Sequence, residues 1–69
     1  MHRPEFELFL IKNRISKTEL EEKSTVSRRT LLRWSLGEVE PRGDSLDLVL
    51  ESLAEMIGRE VTAEEVGLA

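Results

Sequence analysis

Apolar residues in this chain recur at helical rather than strand spacing. Phe6, Phe9 and Leu10 share one face of a first helix that opens after Pro4, a residue suited to the first helical position, and runs to about Asn13. Asn13 or Arg14 is expected to close it. Ser16-Lys17-Thr18-Glu19 reads as a capping box, which starts a second helix from Lys17 to about Ser24. Ser27 is a good N-cap for a third helix, about 27–36, stopped by Gly37. Glu38 to Gly43, with Pro41 inside, reads as a loop. Asp44 is expected to cap a fourth helix to Ile57, whose Leu46, Val49, Leu50, Leu53, Met56 and Ile57 form a broad apolar stripe ended by Gly58. Thr62 to Glu65 repeats the capping-box pattern and opens a short last turn through Val66, with Val61 and Val66 placed for a hydrophobic staple. No stretch alternates strictly as a half-buried strand does. The predicted class is all-α, a single compact five-helix domain over residues 1–69.

With 69 residues and no cysteine, the chain has to hold one small core without disulfides, which points to a reducing cytoplasm. The longest apolar run, Leu8-Phe9-Leu10-Ile11, is far too short for a membrane span. A net charge of −4 conceals an uneven distribution. Residues 1–34 hold eight basic against five acidic side chains, a balance of +3, and residues 35–69 hold two against nine, a balance of −7. One surface can then present a positive field while the rest stays acidic.

The two short helices joined around Thr25-Val26 must cross steeply, and Leu20, Val26, Leu31 and Trp34 sit where their packing contacts fall. Leu31 and Trp34 are three apart and share a face, so Trp34 reads as core. Turning that face inward leaves Arg28, Arg29, Leu32 and Arg33 outward. A helix with arginines in its first turn and one turn later suits the DNA major groove, where a guanidinium forks onto guanine O6 and N7. The hydroxyls of Ser27 and Thr30, with the helix N-terminus, are short donors for phosphate oxygens.

Ile15-Ser16, Leu20, Val26-Ser27, Thr30-Leu31, Trp34 and Gly37-Glu38-Val39-Glu40-Pro41, followed by a leucine-rich helix and Val61-Thr62, carry a wider likeness. Over about residues 6–66 the chain resembles the Cro/lambda-repressor-like (XRE-like) helix-turn-helix family. The resemblance implies sequence-specific binding of double-stranded DNA by a small transcriptional regulator of repressor type, as a homodimer on an inverted-repeat operator. It also implies that Arg28, Arg29 and Arg33 read bases while Lys17, Ser27 and Thr30 hold phosphate. Beyond Gly37, where the family touches the DNA backbone, the loop is acidic and Arg42 is the one nearby cation. The chain departs from the family where Glu21 replaces a small residue, Ser24 an aliphatic one and Thr25 a turn glycine. Thr25 would then need a backbone conformation that β-branched residues resist.

Leu8, Ile11 and Leu48 fall off the main apolar faces and form a candidate partner surface, or else scattered surface apolars. Glu51, Glu55, Glu64 and Glu65 read as solvated faces and caps, and His2 as incidental. With one histidine, no cysteine and no glycine-rich phosphate loop, the sequence points away from an enzyme, a metal site or a cofactor. The alternative to DNA binding is a protein-interaction module on the same fold, antitoxin-like or polymerase-binding. A protein partner of this kind is suggested by the −7 balance of the second half and by the altered turn.

Overall fold

Residues 4–69 are described by a computed structural model, in which four helices follow one another: α1 (Pro4–Lys12), α2 (Lys17–Ser24), α3 (Arg28–Leu36) and α4 (Gly43–Ile57). No strand occurs among the described residues, so the class is all-α. His2 lies outside the described residues. No described helix is long and apolar enough to cross a membrane.

The chain changes direction through left-handed residues at the ends of its helices. Arg14 (φ 57°) ends α1, with the Arg14 N–H donating to Ile11 O and the Ile15 N–H to Leu10 O. This pair of bonds satisfies carbonyls that a helix terminus otherwise leaves orphaned. Asn13 adds its Nδ2–H to Phe9 O at 2.8 Å. Gly37 (φ 77°) ends α3 with the same two-bond pattern, using Trp34 O and Arg33 O.

Two expected starts differ from those observed. α4 begins at Gly43, and Asp44 lies within its first turn instead of capping it. There the carboxylate still favours the positive end of the helix dipole. The last expected element is a turn over residues 63–67 and not a fifth helix; Gly67 (φ 76°) closes it through Gly67 N–H to Glu64 O and Leu68 N–H to Ala63 O. Only half of its capping box forms: Glu65 N–H donates to Thr62 Oγ1 at 3.2 Å. The Glu65 carboxylate instead takes both arms of the Arg59 guanidinium, and hydrogen bonding to Arg59 holds it below the usual carboxylate range. A forked, charge-assisted contact outcompetes a single backbone N–H.

These turns deliver one core. Phe6, Leu10, Ile15, Leu20, Val26, Leu31, Trp34, Val49, Leu53, Val61, Val66 and Leu68 are all buried, and Leu46, Leu50, Met56 and Ile57 pack partly against them. α2 is the central element, packing on α4 and α3, while α1 packs on α3. Surface ion pairs add to these contacts: Lys17 Nζ to Glu7 Oε2 at 2.8 Å joins α2 to α1, and Lys23 Nζ to Glu55 Oε1 at 3.0 Å joins α2 to α4. Glu55 is thus paired rather than merely solvated.

The last residues close the core against α1. Val66 and Leu68 are buried on either side of Gly67, which brings its backbone against the first turn of α1. A Cβ on Gly67 would stand 2.5 Å from Glu5 Cβ and 3.0 Å from the Phe6 nitrogen. Gly67→Ala adds this clash to the cost of a left-handed alanine, and is expected to destabilise the protein by about 2 kcal/mol or more. Urea denaturation followed by circular dichroism measures it; an unchanged midpoint would contradict the close approach of this turn to α1.

Candidate functional site

The joint between α2 and α3 spans three residues, 25–27. Thr25 is the left-handed residue that ends α2 (φ 64°), its N–H donating to Glu21 O at 2.9 Å. The conformation anticipated from the missing glycine is therefore present on a β-branched residue. Ser24 is 1% exposed, and its hydroxyl works in both directions. Oγ donates to Leu20 O at 2.7 Å and accepts the Val26 N–H at 3.2 Å. A buried N–H in the turn is thereby satisfied where an aliphatic residue would leave it without that acceptor.

α3 starts on two carboxylate or hydroxyl oxygens. Ser27 Oγ accepts the Thr30 N–H at 3.2 Å, and Glu21 Oε2, reaching across from α2, accepts the Arg28 N–H at 2.9 Å. Ser27 donates its own proton to Thr30 Oγ1 at 3.0 Å. Glu21, Ser24 and Thr25, which the sequence comparison above marked as departures from the resembled pattern, all make contacts at this joint.

α3 then presents two faces. Leu31, Trp34 and Ser35 are buried, the last donating to Leu31 O at 3.1 Å. Arg28, Arg29, Leu32, Arg33 and Leu36 are exposed. An open groove of about 590 Å³ runs along the N-terminal part of this face, lined by Lys17, Glu21, Ser27, Arg28, Arg29 and Leu32. Four of the seven residues expected to meet DNA thus come together in it. Arg33 is exposed one turn further along α3, Thr30 is half-buried behind Ser27, and Arg42 stands at the start of α4 outside the lining.

The cations of this face are not equally committed. Lys17 is balanced by Glu7, and Arg28 Nη1 donates to Thr18 Oγ1 at 3.3 Å. Among the described residues, no carboxylate pairs with Arg28, Arg29 or Arg33. Guanidinium groups so placed can fork onto phosphate oxygens or onto paired acceptors of a planar ligand. Leu8 and Ile11 on α1 are 62% and 69% exposed, and Leu48 on α4 is exposed as well. Leu36 and Val39, not singled out from the sequence, are also exposed. Helical spacing gave no signal for Glu21, because its role depends on how α2 lies beside α3.

The molecule is a small all-helical domain with a cationic groove built on its second and third helices. The chain belongs to the SP15 N-terminal domain family, whose match covers residues 13–69. That span takes in α2, α3, α4 and the closing turn. Neither the curated proteins nor the solved structures yielded a match.

Thr25 offers a direct test of the joint. Thr25→Gly removes the strain of a left-handed β-branched residue, worth about 1–2 kcal/mol, against about 0.5–1 kcal/mol of added unfolded-state entropy. A net gain of about 0.5–1 kcal/mol is expected, raising the thermal midpoint by about 3–6 °C in calorimetry. A lowered midpoint would show that the threonine side chain contributes more than its backbone costs.

Proposed function

We propose that this domain binds double-stranded DNA sequence-specifically as a cytoplasmic transcriptional regulator of repressor type, with α2 and α3 acting as a helix-turn-helix. The observation that carries the reading is the exposed face of α3, where Arg28, Arg29 and Arg33 have no carboxylate partner among the described residues and stand opposite the buried Leu31 and Trp34. The major groove admits one helix, and arginine is the side chain best matched to guanine there. The resemblance to Cro/lambda-repressor-like proteins supports the same assignment, including a homodimer on an inverted repeat whose half-sites lie about 34 Å apart.

In this reading Arg28, Arg29 and Arg33 read bases, while Lys17, Ser27, Thr30 and Arg42 position the phosphate backbone. Thr30 is the better hydroxyl donor, since Ser27 already spends its proton on Thr30 Oγ1. A second reading, a protein-interaction module on the same fold, draws on the exposure of Leu8, Ile11 and Leu48.

Selection of binding sites from random duplexes separates the two. Arg28, Arg29 and Arg33 replaced together by alanine should lose the selected consensus while helicity is kept, each arginine contributing about 1–3 kcal/mol. Recovery of the same consensus by the triple variant would refute the base-reading role. Lys17→Ala should weaken all sequences alike and flatten the dependence of log K on log salt by about one unit. A loss confined to one sequence would make Lys17 a base reader instead.

A further inference from the structure

Of the three cations that line the groove, Lys17 is already matched by Glu7. Arg28 and Arg29 remain, and the one carboxylate among the lining residues is that of Glu21. It forms no ion pair among the described residues; its hydrogen bond goes to the backbone N–H of Arg28. An unneutralised negative charge therefore stands among the side chains proposed to meet DNA. It also occupies the first N–H of α3, a donor that would otherwise be open to a phosphate oxygen.

We infer that Glu21 sets the selectivity of this interface by opposing sequence-independent attachment to the phosphate backbone. The inference rests on the DNA-binding reading above. Non-specific affinity comes almost wholly from neutralised phosphates, whereas specific affinity adds base contacts. A fixed carboxylate in the same groove as Lys17, Arg28 and Arg29 opposes phosphate approach in either mode, so a complex held by phosphates alone loses occupancy first. The groove then engages a duplex firmly only where Arg28, Arg29 and Arg33 find their bases. A helix-capping role alone makes a different forecast, since it depends on the oxygen and not on its charge.

Glu21→Gln separates them, keeping an oxygen for the Arg28 N–H while removing the charge. Fluorescence anisotropy would compare the wild-type protein, Glu21→Gln and Glu21→Ala on a random-sequence duplex and on a duplex enriched by selection. Salt would be varied over about 50–200 mM, where counterion release is steep. At the low-salt end Glu21→Gln should bind the random duplex about threefold or more tightly than wild type, the size of one screened charge repulsion. The selected duplex should gain by a similar factor, so the variant occupies random duplex at protein concentrations where the wild type holds only the selected one, with helicity unchanged by circular dichroism. Glu21→Ala should show the same gain on random duplex, together with a lower thermal midpoint from the lost cap. If the wild type binds both duplexes and neither variant gains on the random one, Glu21 is a cap only and the selectivity role is overturned while DNA binding stands. If no protein binds either duplex, the DNA-binding reading falls, and this role with it.

Discussion

Three residues between α2 and α3 leave the backbone almost no slack, and the direction of α3 depends on how they are held. Thr25 must enter the left-handed region for α2 to end there, and Val26 must then be buried. Burying Val26 brings its N–H out of water, where an unmade hydrogen bond costs about 1–3 kcal/mol. The Ser24 hydroxyl meets that need from the previous turn. Glu21 then fixes the other end by taking the first N–H of α3. The outward face of α3, and with it the cationic groove, follows from this joint.

The rest of the molecule supports that geometry from behind. α2 lies between α3 and α4, and Leu20, Leu31, Trp34, Val49 and Leu53 fill the space among them. Trp34 supplies the largest side chain of this core, so α3 is anchored on the side opposite its arginines. In a domain this small, total stability is only about 3–10 kcal/mol, and no element can be loosely attached. The closing turn matters for the same reason: Val66 and Leu68 add two buried side chains, and Gly67 lets the backbone between them touch α1.

Charge is arranged with similar economy. Lys17 and Lys23 serve as ties from α2 to α1 and α4. The arginines of α3 are left without such ties among the described residues. A lysine whose partner is in place is half committed to the fold; an exposed guanidinium without a carboxylate is available to a ligand. This division underlies the proposed roles along the groove, in which Glu21 is the one carboxylate among the described lining residues.

Much of this was legible in the residues themselves. Local rules placed α2 at its observed bounds and α3 within one residue of them: Ser16 with Glu19, Ser27 and Gly37 satisfy backbone groups within a few positions of themselves, so no distant contact is needed to find them. Periodicity likewise marked Phe6, Leu20, Leu31, Trp34, Val49 and Leu53 as core, and left Leu8, Ile11 and the α3 arginines outside. What only the tertiary structure decided were choices between competing partners. Glu65 leaves its expected backbone partner because Arg59 folds within reach. Leu68 is buried because the closing turn returns to α1, which no local pattern encodes. The joint around Thr25, first visible as a glycine missing from a pattern, proved to be strained and supported at once. Of its supports, the Ser24 hydroxyl is local to the turn, whereas the Glu21 carboxylate acts only once α2 and α3 have met.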